Sequence, residues 1–219
     1  LTRNVHGYFN YSFLKEGEVA LEKRIWKNVY KENNKLLFFD PFLFDTLYGL
    51  IQKDSLIVFS DEEFQNPRTK SDIKTNFSKV QYEIIAYRLK EDWFFDKKKN
   101  QCEVRPVGLY PILRASNSGD YESIGLGWIY FPQLRKTLAA QPVYDKRHPN
   151  ITHLDDVFWY RYFTGQIYKE TNVFNRPIAA YAKTHAEADY EAQRIEIDMI
   201  EAEHDVWVYG NKIFNPFPK

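Results

Sequence analysis

Tyr87-Arg88-Leu89-Lys90-Glu91-Asp92-Trp93-Phe94-Phe95-Asp96, followed after a Lys-Asn turn by Gln101-Cys102-Glu103-Val104-Arg105, is the stretch on which the fold depends. Trp93, Phe94 and Phe95 in succession would project to both faces of an extended segment, so each face needs a large side chain covered. Residues 80–95 and 101–113 therefore read as two strands joined across Asp96-Lys97-Lys98-Lys99-Asn100. Ser116-Asn117-Ser118-Gly119-Asp120 marks the next turn, before a third strand over 121–131. An antiparallel meander of about three to four strands follows.

Helical patterns surround this block. Leu21, Ile25, Trp26, Val29 and Tyr30 recur at helical spacing and predict a first helix over 18–33, stopped at Asn33-Asn34. Asp40-Pro41 predicts the start of a second, with Phe44, Leu47, Tyr48 and Ile51 on one face and an end near Lys53. Leu56-Ile57-Val58-Phe59 reads as a short buried strand. Thr69 with Asp72 forms a capping-box pair before a brief helix over 70–78. Pro132 can open a helix carrying Leu134 and Leu138, which Pro142 should end. Thr152 with Asp155 reads as another capping pair, for a helix whose Leu154, Val157, Phe158 and Tyr162 share a face.

A polar joint over 170–184 then leads to the longest helix, opened by Thr184 and Glu187, with Ala188, Ala192, Ile195, Met199, Ala202 and Val206 as a seam and Gly210 as its cap. The class is α+β. The organisation we expect is an arm over 1–17 held by Tyr8, Phe9, Tyr11 and Phe13, one domain over 18–210, and a loose tail over 211–219.

Charge and cysteine content narrow the function. Lys plus Arg and Asp plus Glu number 30 each, so no global field draws the chain to nucleic acid or anionic lipid, and no nucleic-acid partner is expected. Lys97-Lys98-Lys99 is the only basic cluster, and it sits where a solvated turn belongs. The aromatic fraction of 17% suits interfaces as well as cores. The single cysteine, Cys102, permits no internal disulfide and reads as a buried strand residue. No apolar run approaches the roughly 20 residues of a membrane span. The chain begins at Leu1, which we read as a mature or truncated product.

The sharpest catalytic candidate is His153-Leu154-Asp155-Asp156, an imidazole near two carboxylates with the chemistry for a metal or general-base site. Asp155 is better explained as the partner of Thr152, and the acidic pair suits the positive end of a helix. His204-Asp205 is adjacent in sequence, so its side chains diverge. Phosphate-cradling glycine loops, Cys-x-x-Cys, His-Glu-x-x-His and Gly-x-Ser-x-Gly are absent from the sequence. We therefore expect no catalytic residues, no metal and no cofactor.

Seven aromatic-rich groups carry a resemblance. With the 87–105 stretch, Gly127-Trp128-Ile129-Tyr130-Phe131-Pro132, Leu154-Asp155-Asp156-Val157-Phe158-Trp159, Ile167-Tyr168-Lys169-Glu170-Thr171-Asn172, Glu203-His204-Asp205-Val206-Trp207, Arg24-Ile25-Trp26 and Tyr144-Asp145 stand in an order and spacing similar to the GldN/PorN family of gliding motility and type IX secretion. The resemblance runs from about Glu18 to Tyr209. It implies a non-enzymatic assembly protein with a signal peptide, exported to the periplasm and associated with the outer membrane. There it would build a ring with an outer-membrane lipoprotein of the GldK/PorK type and with further copies of itself. A link to the inner-membrane motor of the GldL/GldM or PorL/PorM type is implied as well.

The partner interface we expect draws on Trp128, Tyr130, Phe131, Trp159, Arg161 and Tyr168, because the chain has more aromatic surface than one core face requires. Two other classes remain: a carbohydrate- or peptidoglycan-binding envelope module using tryptophans as stacking platforms, and a hydrolase built on His153 and Asp156.

Overall fold

The aromatic stretch forms the middle of a sheet. In a computed structural model, which describes residues 2–38, 43–77, 82–115 and 123–214, strand β3 (Tyr82–Asp96) turns back into β4 (Gln101–Ala115). Asp96 closes that turn, its Oδ1 accepting the N–H groups of Lys98 at 2.9 Å and Lys99 at 3.1 Å while Asn100 takes φ 52°. Before this hairpin come β1 (Val19–Tyr30), α1 (Leu43–Gln52), β2 (Val58–Phe59) and α2 (Lys70–Phe77). After it come β5 (Ser123–Gly125), β6 (Trp128–Tyr130), α3 (Phe131–Ala139), α4 (Leu154–Trp159), β7 (Gln166–Glu170) and the 30-residue α5 (His185–Phe214). The strands pair in the order β2-β6-β4-β3-β1-β7, with β5 on β4 off this path. The class is α+β as expected, but the 7-stranded sheet is larger than the meander of three or four.

The largest correction is the first predicted helix, which is strand β1. Ile25 and Trp26 are adjacent and both buried, Ile25 in the core with Ile195 and Met199 of α5 and Trp26 beneath lysine side chains. A strand covered on both faces loses its two-residue alternation, and its apolar positions then mimic a helical period. Strand β7 was overlooked for a related reason: Tyr168, Lys169 and Glu170 look polar, yet Lys169 is buried with its Nζ 4.3 Å from the centre of the Trp26 ring. Cys102 is half-buried on β4, not fully inside.

The expected third strand over 121–131 is broken in two. Pairs Ile112↔Gly125 and Leu109↔Ile129 show one more residue on the β5–β6 side than on β4, a bulge. Gly127 takes φ +122° there, and a Cβ on it would stand 2.4 Å from Val58 Cγ1 and 2.9 Å from the Phe59 carbonyl. Pro111, which has no N–H to give a ladder, sits opposite the bulge and accepts from Leu126 N at 3.0 Å.

The helix signals fared better. Thr69 and Asp72 cap α2 reciprocally, at 3.1 and 3.2 Å. Thr184 Oγ1 accepts from Glu187 N at 3.1 Å ahead of α5. That helix runs through Gly210 to Phe214, since one internal glycine costs only about 1 kcal/mol. The expected cap at Asp40-Pro41 lies outside the described residues, as does the tail beyond 214.

The chain divides into two compact units, each with its own core. The first comprises Leu1–Asn10, Asn28–Leu89 and Val107–Gly165. Its core joins Leu43, Leu47 and Ile51 of α1, Leu109 and Leu113 of β4, Ile129 of β6, and Leu134, Leu138, Val157 and Phe158 of the two following helices. Each such side chain contributes roughly 1.5–3 kcal/mol by leaving water. The second unit, Tyr11–Lys27, Lys90–Pro106 and Gln166–Lys219, packs Ala192, Ile195 and Met199 of α5 on Ile25, Ile167 and Ile178.

Candidate interaction surface

The two acids that open α4 point to different partners. Asp155, 1% exposed, accepts a two-pronged contact from Arg135, Nε to Oδ1 at 2.9 Å and Nη2 to Oδ2 at 2.8 Å. Asp156, with no exposed surface, accepts from Arg3 at 2.7 and 3.1 Å, from Thr152 N at 2.8 Å, from Thr152 Oγ1 at 2.9 Å and from His153 N at 3.2 Å. The partner of Thr152 is thus Asp156, which corrects the expected pairing with Asp155. His153, not Thr152, occupies the cap position, which moves the reciprocal acid one residue along.

This arrangement is a structural clamp. Burial pushes the Asp156 carboxyl up, but the Arg3 guanidinium and the Thr152 donors outweigh it and hold the group below the usual carboxylate range. Oδ1 accepts from Arg3, and Oδ2 from Arg3, Thr152 and His153. His153 Nε2 lies 2.7 Å from Arg3 Nη1, the same nitrogen that donates to Asp156 Oδ1 at 2.7 Å and to Gly7 O at 2.9 Å. Nδ1 is 3.3 Å from Asp156 Oδ2 and lacks good hydrogen-bond geometry.

The clamp fastens residues 3–9. Asn4 Oδ1 accepts from His6 N and Tyr8 N, Gly7 takes φ +89°, and Arg3 bridges back to Phe9 in a tight turn. The Arg3 guanidinium covers the Phe9 ring at 4.4 Å, and Phe9 packs on Trp159 at 5.2 Å. Arg135 lies 4.4 Å from the Tyr8 ring and 5.6 Å from Trp159. Tyr8 and Phe9 are therefore anchors within the first unit. Tyr11 belongs to the second, with Arg105 5.2 Å from its ring. Phe13 is 85% exposed.

Of the six residues expected to meet a partner, two are buried. Trp128 packs on Tyr110 at 5.3 Å and Phe131 on Phe158 at 5.0 Å, and both are buried. Tyr130 is 40% exposed beside Phe64. Tyr168 is half-buried on β7, in the second unit. Trp159 and Arg161 do lie together, at the end of α4.

Arg161 has φ +55°, in the left-handed region that glycine normally fills at a helix C-terminus. It donates its N–H to Phe158 O at 3.2 Å, and Tyr162 N reaches Val157 O at 2.8 Å, so the chain leaves the helix there and Tyr162 does not join its apolar face as expected. A non-glycine residue in this conformation costs about 1–2 kcal/mol, and such strain gathers at functional positions.

The sequence reading missed the hollow beside it. Glu32, Asn33, Asn34, Lys35, Leu36 and Arg147 line it with residues 161–164, around about 490 Å³. Its floor is fixed by Asn34, whose side chain pairs with Thr164 as a strand would: Nδ2 to Thr164 O at 2.9 Å, and Thr164 N to Oδ1 at 2.7 Å. Tyr162, which lines it, and Tyr160 just before in the chain are both exposed. Asn34 had been read only as a helix stop, and nothing in its neighbours announced a partner 130 residues away.

The arrangement offers aromatic rings and guanidinium groups at a surface hollow, a chemistry of recognition. No group of three or more His, Cys, Asp or Glu side chains that could hold a metal ion occurs among the described residues. No curated protein matches the sequence. A family model described as "Gliding motility associated protein GldN" matches residues 14–208, nearly the whole of both units. The chain belongs to the GldN family, whose members are components of gliding motility and type IX secretion.

Proposed function

We propose that this chain is a non-enzymatic assembly component of the type IX secretion machinery. It works in the periplasm at the outer membrane, building a ring-like complex with an outer-membrane lipoprotein of the GldK/PorK type and with further copies of itself. Through that complex it meets the inner-membrane motor of the GldL/GldM or PorL/PorM type. Family membership over 14–208 supports the setting. No described helix is long and apolar enough to cross a membrane, so attachment through a partner is consistent with the fold.

The observation that carries a binding role is Arg161, a residue of positive φ that lines the hollow with Tyr162 and follows Trp159 and the exposed Tyr160 in the chain. Arginine and aromatics supply most of the energy at protein interfaces once desolvated. Of the expected set, Tyr130, Trp159, Arg161 and Tyr168 have surface to offer a partner in this conformation. The test is co-expression with the lipoprotein and sizing by light scattering. We expect large particles from the pair and their loss with Trp159→Ala or Arg161→Ala in a chain that stays folded. Normal assembly by both variants would remove this surface from the interface.

A further inference from the structure

The helix α5 carries two apolar stripes, only one of which is used. Ala192, Ile195 and Met199 face the core of the second unit. Tyr190, Ile197, Ile200 and Trp207 are 70%, 54%, 60% and 59% exposed. At about 100° per residue these four fall within roughly 100° of one another, outside the buried seam, in a sector that also holds the exposed Gln193 and His204. Between Tyr190 and Trp207 the stripe extends roughly 25 Å at 1.5 Å per residue.

The charge around it is one-sided. From His185 to Val208 the sequence holds Glu187, Asp189, Glu191, Glu196, Asp198, Glu201, Glu203 and Asp205 against Arg194 alone, in a chain whose total charge is zero. Arg194 is engaged within the helix, by Glu191 at 2.7 Å and Asp198 at 2.6 Å. Glu196 and Glu203 border the stripe along one edge and Glu201 along the other. Two copies of this face brought together would set acid against acid, and an anionic lipid surface would repel it.

We propose that the outer face of α5 docks a basic amphipathic helix of another polypeptide, with apolar residues on the Tyr190-Ile197-Ile200-Trp207 stripe and lysines or arginines against the flanking acids. A segment of about five turns matches the stripe in length. This surface shares no residue with the end of α4, and the proposal does not depend on the lipoprotein meeting that end.

The test is calorimetric titration of the full chain with a synthetic helical peptide of leucines and lysines at amphipathic spacing, beside a leucine–glutamate peptide of the same pattern. The Leu/Lys peptide should bind, weakening by tenfold or more as salt rises from about 0.05 to about 0.5 M, and the Leu/Glu peptide should not. Ile197→Gln/Ile200→Gln/Trp207→Ala, which keeps every acid, should lose at least tenfold in affinity with unchanged circular dichroism. Should that variant misfold, Glu196→Lys/Glu203→Lys, which keeps the stripe, should lose as much. The proposal is overturned if the Leu/Lys peptide fails to bind, if a folded triple variant binds it as well as the parent, or if the Leu/Glu peptide binds equally. It is overturned too if light scattering shows a dimer of the chain that the triple variant abolishes, or if anionic vesicles are bound through the stripe.

Discussion

Removing the Arg135 guanidinium should destabilise the first unit far more than the loss of one surface charge. Arg135 and Asp155 are 5% and 1% exposed, and their two contacts are 2.9 and 2.8 Å. A paired ion of this kind adds little net stability over an apolar pair of the same size, because desolvation offsets attraction; leaving one charge buried and alone is what costs. Arg135→Met should therefore cost about 3–5 kcal/mol, and Asp155→Leu a similar amount. The Tyr8 and Trp159 rings near Arg135 add a smaller cation–π loss of about 0.5–2 kcal/mol to the first variant. The double variant should recover much of the loss, with a coupling of at least about 2 kcal/mol. Urea unfolding followed by tryptophan fluorescence tests this, since Trp128 and Trp159 report from the first unit. Single variants within about 1 kcal/mol of the parent, or losses that simply add, would refute the reasoning.

Three further outcomes follow from other contacts. The Asp156 carboxyl is held below its ordinary value, so its contribution to stability is complete above the unfolded pKa near 4 and is lost as pH falls through the folded one. Asp156→Asn should be less stable than the parent at pH 7, with the gap narrowing below about pH 4 in acid titrations; a constant gap would contradict the clamp. Gly127→Ala should cost more than about 1 kcal/mol in thermal unfolding, through its positive φ and the approach to Val58 and Phe59, whereas an unchanged midpoint would mean that the bulge can relax. Phe95→Ala, at a position 3% exposed, should cost about 3–5 kcal/mol of stability; intact stability with lost partner binding would place Phe95 in an interface instead.

The hairpin and the starts of α2 and α5 were legible because their causes are local. A turn of Asp, Lys and Asn, a threonine three residues before an acid, and a run of aromatics each act within a few residues. Strand β1 was not legible because its period depends on what covers it. Ile25 meets the α5 core while Trp26 has Lys90 and Lys169 over its ring, and those neighbours come from residues far along the chain. The bulge at Gly127 was hidden likewise, since a glycine in an apolar run marks a break only when the opposing register is known.

The surface at α4 shows how much of a residue's setting is supplied from far along the chain. His153 and Asp156 stand together as their spacing suggests, and Arg3, more than a hundred residues earlier, contacts both. The same clamp brings Phe9 against Trp159, so the aromatic that was expected to meet a partner is already partly covered by the chain's own beginning. Interfaces are weakened least by groups held rigid before binding, because ordering them then costs no further entropy. Trp159 is held by Phe9 and Arg135, and Arg161 by its two-turn exit from α4, so the end of this helix meets that condition. If so, Arg3→Ala should lower partner affinity without touching the partner, by releasing Phe9 and loosening Trp159. A titration of the folded variant with the co-expressed lipoprotein would show it as a faster off-rate, and an unchanged off-rate would mean that the clamp serves stability alone.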